Sequence, residues 1–152
     1  MTADPRGARL YDRLAARPWL LGLVYAATFR GDERAVRRAS LDALGLDPGD
    51  RVLELGCGPG NSLAALADRV GSAGRVVAVD YSAGMVDRAR DRPTVDVVRA
   101  DATRPPVADG SFDAVYAAMS LSATADPAAA VEGARAALRP SGRLVVLDAR
   151  PF

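Results

Sequence analysis

The sequence predicts a single α/β domain with a doubly wound parallel sheet. Short apolar segments alternate with amphipathic helical segments after about residue 50, and several of the apolar segments read as strands buried on both faces. A glycine-rich turn follows the first of these strands, as in sheets that bind ligands at the carboxyl ends of their strands. The 152 residues suffice for one domain and are too few for two.

The elements fall into two parts of this one domain. Residues 1–47 are expected to form an N-terminal helical lid, with helices over 9–17 and 19–29 and a third helix that begins after Asp32 as N-cap. Residues 48–152 are expected to form the sheet with helices on both faces. Its strands are predicted at 51–55, 75–80, 95–100, 112–119 and 142–148. Its helices are predicted at 61–70, 82–91 and 127–138.

The composition excludes several kinds of chemistry. All 20 basic residues are arginine, and the sequence contains neither lysine nor histidine. A His or Lys base, a Schiff-base lysine and a His metal ligand are therefore excluded. A single cysteine excludes a disulfide framework and a Cys-based zinc site, so we expect no metal centre. A net charge of +1 offers no electrostatic argument for nucleic acid.

The segment PWLLGLVYAATF, residues 18–29, is the longest apolar stretch. It is too short to span a bilayer, and the dense charge that follows it argues against a signal peptide. We expect a helix packed on the domain, with at most peripheral membrane contact, in a cytoplasmic protein. Beyond it, Arg34, Arg37 and Arg38 are expected to form a solvated helix face.

The segment VLELGCGPGN, residues 52–61, carries the first binding signal. Gly56, Gly58 and Gly60 allow a tight turn and close approach of a ligand to the backbone. The helix that follows offers free N–H groups and the positive end of its dipole to an anionic group. Asp80 ends the second strand, where a carboxylate accepts hydrogen bonds from both hydroxyls of a ribose. The two features together predict a nucleoside site.

Two residues argue against a dinucleotide. The dinucleotide fingerprint requires a glycine at position 61, which is asparagine here, and Glu54 would repel a pyrophosphate. Glu54 is suited instead to an ammonium or sulfonium group. S-adenosyl-L-methionine combines a ribose, a carboxylate, an ammonium and a sulfonium without any phosphate. Cys57 is expected to contribute only its backbone, because no histidine can activate it, and Asp109 and Asp113 are expected to be turn residues.

Four segments in order resemble the successive motifs of class I S-adenosylmethionine-dependent methyltransferases. These segments are VLELGCGPG, VVAVDYSAGMVDRAR, VRADATRPPVADGSFDAVYAAMSL and ALRPSGRLVVLD. They are most similar to the subgroup that contains ubiquinone/menaquinone-biosynthesis and phosphatidylethanolamine methyltransferase-like enzymes. The resemblance covers about residues 50–148. It implies a Rossmann-like fold and S-adenosyl-L-methionine as cofactor.

The resemblance also implies roles for the strand-end residues. Glu54 and the backbone of residues 56–60 would cradle the methionine part of the cofactor. Asp80 matches the ribose-binding acid of the family. Tyr81 would flank the adenine, with Met85 nearby in the following helix.

Further roles follow from the later motifs and from the N-terminal part. Asp101 and Ala102 match the pair that reads the adenine edge, the acid accepting from N6 and the backbone N–H donating to N1. The segment after the fourth strand, which lines the cofactor and faces the substrate, matches Ala117, Ala118 and Met119. Tyr11 resembles an N-terminal tyrosine that closes over the cofactor.

The implied activity is methyl transfer to a small-molecule or lipid acceptor. No catalytic residue is assigned, and a general base, if one is needed, would be an Asp, a Glu or one of the four tyrosines. Quinone-pathway relatives carry an Arg-Asn pair after the fourth strand, where this chain has Ser122 and Ala123. That difference disfavours a quinone precursor as acceptor.

The family pattern continues beyond the fifth strand, whereas this sequence ends at Phe152. Either the chain is a truncated form or fragment, or a second copy or a partner chain covers the fifth strand, which would otherwise be a bare edge. We expect a five-stranded sheet of order 3-2-1-4-5 and catalysis that is impaired or depends on a partner. A non-catalytic or truncated S-adenosylmethionine-binding module that needs a partner chain is the alternative function. A nicotinamide-dependent reductase is a third candidate, disfavoured by Asn61 and Glu54.

Overall fold

The computed structural model describes residues 5–30, 32–90 and 95–148, with side chains described from residue 9 onward. It contains a five-stranded parallel sheet of order β3-β2-β1-β4-β5, which confirms the predicted Rossmann-like order. The strands are Arg51–Leu55 (β1), Arg75–Asp80 (β2), Asp96–Arg99 (β3), Phe112–Ala118 (β4) and Leu138–Leu147 (β5).

Six α-helices and one 3₁₀ turn accompany the sheet in the described part of the chain. They are Pro5–Ala15 (α1), Pro18–Phe29 (α2), Glu33–Ala43 (α3), Leu63–Val70 (α4), Ala83–Arg90 (α5), the 3₁₀ turn Leu121–Ala123, and Pro127–Ala137 (α6). Proline occupies the first turn of α2 and α6, where its missing N–H costs no helical hydrogen bond. In α6, Asp126 also caps the helix by accepting from the backbone N–H of Ala129 at 3.0 Å.

The start of β5 differs most from the sequence prediction. Strand β5 begins at Leu138, four residues before the predicted start, because the segment RPSG is extended although its residues are typical of a turn. Its register with β4 shifts at a bulge, since Phe112 pairs with Leu138 but Ala114 pairs with Arg143. Pro140 is tolerated there because β5 lies at the edge of the sheet.

Helices cover both faces of the sheet, as predicted. On one face, apolar side chains of α3, α4 and α5 pack against residues such as Val52 and Val76. On the other face, the alanine-rich side of α6 packs against residues such as Leu53 and Val115. Alternation along β1 places Glu54 on the face covered by α3 and α4. This placement decides which side chains surround that carboxyl.

The N-terminal helices attach to the sheet domain mainly through α5. Asp12 Oδ1 accepts hydrogen bonds from the Ser82 hydroxyl at 2.5 Å and from the Gly84 backbone N–H at 3.1 Å. The hydrogen bond from Ser82 is the main reason that the pKa of Asp12 is lowered. Arg88 in turn donates to the carbonyl of Ala15 at 2.7 Å. These bonds position α1 beside the carboxyl end of β2.

Helix α2 is only partly packed. Leu21 is buried, whereas Trp19, Leu23 and Val24 remain exposed, Trp19 by two thirds of its surface. The expectation of a helix packed along the domain therefore holds for one side of α2 alone. Among the described residues, no helix has both the length and the apolar character needed to cross a membrane.

Candidate functional site

The glycine turn after β1 is tightly packed against two other strands. Gly56 has φ +66°, and a Cβ on it would lie 2.3 Å from the Cβ of Ser120. The backbone N–H groups of Gly56 and Cys57 both donate to the carbonyl of Val79, at 2.8 and 3.0 Å. Any side chain at position 56 would therefore strain the backbone and collide with the segment after β4. The sequence predicted that a ligand would lie close to these glycines. At Gly56 the close contact is instead with Ser120 of the same chain.

Gly58 presents the open side of the same turn. It has φ +54°, and a Cβ there would meet only the Tyr25 hydroxyl, at 3.9 Å. Its N–H donates to Asp80 Oδ2 at 2.8 Å, while the N–H of Ser82 donates to Asp80 Oδ1 at 2.9 Å. A carboxylate has about four acceptor positions, so each oxygen of Asp80 can still accept one donor. Two neighbouring hydroxyls of a ligand would satisfy both.

Asp80 is largely buried at the carboxyl end of β2. Burial, the largest cause, raises the pKa of this carboxyl, and its hydrogen bonds from Ser82 and Gly58 act in the opposite direction. A buried carboxylate with two fixed donors is rigid, and it gains from further donors that a ligand brings. Its surroundings therefore favour a hydroxyl-rich ligand.

Glu54 lies beneath the turn and is 1% exposed. It pairs in register with Tyr116 of β4, and its Oε2 has no hydrogen-bond partner among the described residues. Burial raises the pKa of Glu54 to about 8, against the opposing effects of Arg37 and Ser62. Leaving a buried carboxyl oxygen unpartnered costs about 1–3 kcal/mol, which makes Glu54 a group that a bound cation would stabilise.

Arg37 is buried, although it was expected on a solvated helix face. Arg34 and Arg38 are exposed as expected, but Arg37 is only 9% exposed and lines the cavity described below. One Nη donates to the Ser62 hydroxyl at 2.8 Å and the other to Glu33 at 2.9 Å, while Nε has no partner in the described chain.

The burial of Arg37 has a signal in the sequence. Arg37, Leu41 and Leu44 follow the i, i+4, i+7 spacing of one helical side, and both leucines are buried against the sheet. Arg37 lies on this buried side of α3. Its burial was not predicted because most of the neighbouring residues are charged.

One cavity opens at the carboxyl ends of β1, β2, β3 and β4 and collects most of the predicted residues. Eleven of the fourteen line it: Tyr11, Gly56, Cys57, Gly58, Asp80, Tyr81, Met85, Asp101, Ala102, Ala118 and Met119. Three do not: Glu54 and Ala117, which are fully buried behind it, and Gly60, which completes the turn. Further lining residues, for which the sequence predicts no role in a site, are Tyr25, Arg37, Asn61, Ser82, Ala100, Thr103, Ser120, Ala123, Thr124, Ala125 and Asp126.

The half of the cavity beyond Asp80 has a flat aromatic side and a polar edge. The Arg99 guanidinium lies 5.9 Å from the centroid of the Tyr81 ring, and its Nε donates to the Tyr81 carbonyl at 3.0 Å. This pair holds the half-exposed ring in place. Asp101 accepts from the Thr103 N–H and hydroxyl at 2.9 and 2.8 Å, both on Oδ1, which leaves its other oxygen available. The arrangement is suited to a planar, hydrogen-bonding ring.

The segment after β4 forms the opposite wall. Met119 has φ +55°, uncommon for a residue with a side chain, and its N–H donates to the Leu147 carbonyl at 2.6 Å. Ser120 donates to the carbonyl of Leu55 at 2.7 Å. The N–H and hydroxyl of Ser122 donate to Asp148, at 3.0 and 2.6 Å. The sharp turn at Met119 is thus tied to β1 and to the end of β5.

The other candidates from the sequence have structural roles. Asp113 was expected in a turn but lies in β4, where its carboxylate accepts from the Arg51 N–H at 2.7 Å and pairs with Arg139. It stabilises the ends of β1 and β4, away from the cavity. Burial raises the pKa of the Cys57 thiol above its usual range and that of Tyr25 to about 12. Neither supplies a nucleophile or base near neutral pH.

Comparisons with known proteins agree with this geometry. The family model described as "Methyltransferase domain" matches residues 52–142. A demethylmenaquinone methyltransferase of Beutenbergia cavernae is 44% identical over 147 residues, covering 95% of this chain and 59% of that protein. One from Mycobacterium sp. strain KMS is 41% identical over 141 residues, covering 93% and 58%. A crystal structure of a SAM-dependent methyltransferase from Aquifex aeolicus has a TM-score of 0.68 and 26% identity, covering 74% of this chain and 63% of that one.

The chain therefore spans about 59% of the length of the Beutenbergia relative. The family match covers more than half of the chain, and the predicted sheet order is present in the fold. On this evidence the chain belongs to the methyltransferase domain family, among the class I S-adenosylmethionine-dependent methyltransferases.

Proposed function

We propose that the chain binds S-adenosyl-L-methionine in the strand-end cavity and transfers its methyl group to a small-molecule acceptor. One observation carries the proposal. Asp80 accepts one hydrogen bond on each oxygen from the described residues, and it lies beside a glycine turn whose floor holds Glu54, whose Oε2 has no partner in the described part of the chain. A ribose and an ammonium on one ligand satisfy both groups.

The roles of the other residues follow from where they lie. Asp80 would hold the ribose, and Tyr81 and Met85 would enclose the adenine. Asp101, with its available oxygen, would accept from the adenine amino group while the backbone of Ala102 donates. Tyr11 of α1 and Tyr25 of α2 line the cavity from the N-terminal helices.

The chemistry requires little of the protein beyond positioning. S-adenosylmethionine supplies a methyl group that is already activated on a sulfonium. The residues of this chain orient the acceptor in line with that group and exclude water. The rigid turn at Met119 and Ser120 is suited to holding the acceptor side, since it is fixed to β1 and β5. An acceptor that reacts as an enolate-like carbon, an amine or a thiolate needs no strong base, which suits a cavity without His or Lys.

The names of the relatives favour a menaquinone precursor as the first acceptor to test. The sequence difference at Ser122 and Ala123 argued against it. Ser122, however, is bonded to Asp148, so its side chain is occupied in positioning the loop. Ala118, Ala123 and Ala125 give this wall an apolar surface, which suits a flat, apolar acceptor. The single cysteine fits a reducing cytoplasm as the location.

A transfer assay tests the proposal. The chain is incubated with S-adenosylmethionine labelled at the methyl group and with demethylmenaquinol, a phospholipid or an amine in separate reactions. We expect label in one acceptor and none with Asp80→Ala. Tight cofactor binding with no transfer to any acceptor would instead support the non-catalytic binding module.

A further inference from the structure

We propose that the outer face of α2 docks the chain on the surface of an anionic lipid bilayer, with apolar side chains among the lipids and flanking arginines at the phosphate headgroups. The outer face consists of the exposed residues on the side of α2 that is turned away from the domain: Trp19, Gly22, Leu23, Val24, Ala26 and Ala27. The inference goes beyond the proposed function and does not require it, because docking is independent of methyl transfer.

The outer face is apolar and uncovered. Helix α2 contains no charged residue, and a helix that is apolar on all sides is normally buried on all sides. Here only Leu21 is fully buried, whereas Trp19 and Leu23 expose 66% and 59% of their surfaces. An exposed apolar patch of this kind marks an interaction site. The twelve residues extend about 18 Å, which suits a helix lying flat in the headgroup region.

Exposed arginines flank the outer face along the chain. They are Arg13 and Arg17 before α2 and Arg30, Arg34 and Arg38 after it. None of these five forms an ion pair with another described residue, whereas four arginines elsewhere in the described chain pair with acids. Asp32 is the only exposed acid in this region, since Glu33 pairs with Arg37. Residues 13–38 hold six arginines and two acids, a net charge of +4 in a chain whose total is +1.

This charge pattern favours a lipid surface over a second copy of the chain. A symmetric dimer through the outer face would bring the arginines of one copy close to those of the other, and like charges repel. An anionic bilayer instead offers an apolar layer for Trp19 and Leu23 and phosphate groups for the arginines. Trp19 lies in the first turn of α2, close to Arg17, which agrees with the preference of tryptophan for the boundary between lipid and water.

The opposite side of α2 faces the strand-end cavity. Tyr25 lines the cavity, while Trp19 and Leu23 lie on the exposed side of the helix. An α-helix with its side chains is about 10–12 Å across, so a docked chain holds the cavity about that far from the lipid. A lipid-soluble acceptor would then have only a short path to the site. This consequence, unlike the docking itself, rests on the proposed function.

Vesicle binding tests the proposal, and Trp19 reports on it directly because it is the single tryptophan of the chain. The unmodified chain is titrated with vesicles of phosphatidylcholine and, separately, with vesicles of phosphatidylcholine and phosphatidylglycerol in equal parts. Tryptophan fluorescence and co-sedimentation are measured. We expect a blue shift, and partition into the anionic vesicles that is stronger by about 10-fold or more. Added salt should reduce this difference.

Variants assign the binding to the outer face. Leu23→Gln should weaken partition into anionic vesicles by about 5- to 30-fold, because the side chain no longer enters the lipid. Val98→Gln is the matched control, since Val98 is an exposed apolar residue of β3. Replacing Arg34 and Arg38 together by glutamine should weaken binding by about 10- to 30-fold, and only to anionic vesicles. Arg135→Gln, which changes an exposed arginine of α6, should have no effect.

Three results would overturn the proposal. The first is the absence of both a blue shift and co-sedimentation with anionic vesicles. The second is equal binding to both kinds of vesicle, or equal weakening by Leu23→Gln and Val98→Gln. The third is a dimer that forms without vesicles and is lost in Leu23→Gln, which would assign the outer face to a second copy. Because no cofactor or acceptor is present, failure of docking leaves the proposed function intact, and failure of the transfer assay leaves docking intact.

Discussion

Gly56 and Ser120 are in such close contact that a Cβ on Gly56 would lie 2.3 Å from the Cβ of Ser120. The contact joins the turn after β1 to the segment after β4, which form the two sides of the cavity. Gly56 also has φ +66°, so its backbone and its surroundings both exclude a side chain.

Gly56→Ala should therefore destabilise the chain and weaken ligand binding. Gly110→Ala is a matched control, because Gly110 has φ +63° and a Cβ there would meet nothing within 4 Å. Urea unfolding should show a loss for Gly56→Ala that exceeds the loss for Gly110→Ala by about 1–3 kcal/mol, the cost of overpacking. Equal losses would mean that the turn can move away from Ser120.

Asp80→Asn should weaken S-adenosylhomocysteine by about 10- to 100-fold with little change in the fold. The amide keeps one oxygen, for which the N–H groups of Gly58 and Ser82 then compete, so fewer acceptor positions remain for a ribose. Asp87→Asn, an exposed carboxylate of α5, is the control in the same calorimetric titration. Unchanged affinity in Asp80→Asn would refute the ribose assignment.

Glu54 should make the unliganded chain less stable as the pH rises from about 5 to 8. Burial raises its pKa from 4.5 to about 8, so in this range the folded state holds a proton that the unfolded chain has lost. Stability therefore falls with rising pH through this window. Glu54→Gln cannot ionise. Denaturant unfolding at about pH 5.5 and about pH 8 should show the unmodified chain losing about 1 kcal/mol or more relative to Glu54→Gln.

The exposed Glu132 provides the control for this pH dependence. Glu132→Gln removes a carboxyl of the same type whose side chain is 73% exposed. It should leave the pH dependence of the unmodified chain unchanged. Parallel pH profiles for Glu54→Gln and the unmodified chain would show that Glu54 ionises normally in the folded state.

Asp113→Asn should lower stability without affecting ligand binding. It weakens the ion pair with Arg139 and the hydrogen bond from the Arg51 N–H, with an expected loss of about 1–3 kcal/mol in urea unfolding. Its affinity for S-adenosylhomocysteine should equal that of the unmodified chain, with Asp109→Asn, an exposed neighbour, as the control. Reduced affinity at full stability would place Asp113 in the site.

The part of the site that belongs to the sheet could be predicted from the sequence. Asp80 and the glycine turn stand at strand ends, and in a parallel sheet the carboxyl ends of all strands lie at one edge. The strand pattern alone therefore predicts that Asp80 and the glycine turn lie close together. The order of the strands could also be predicted, because the motifs of the family occur in this sequence in the same succession.

The contributions of the helices could not be predicted in the same way. Tyr25 and Arg37 reach the cavity only because α2 and α3 pack over the glycine turn, and that packing depends on contacts distant in sequence. Arg37 was expected on a solvated face because a run of charges is usually solvated, although its spacing with Leu41 and Leu44 is that of the buried side of α3. Asp113 was misassigned because the turn signal ADGSFD extends into the first residues of β4.

The central claim is that the strand-end cavity binds a nucleoside with a charged amino-acid end. Calorimetric titration of the unmodified chain with S-adenosylhomocysteine and, separately, with NAD tests it most directly. We predict saturable one-to-one binding of S-adenosylhomocysteine and no binding of NAD, because the dinucleotide fingerprint requires a glycine at the position of Asn61. Binding of NAD, or of neither ligand, would contradict it.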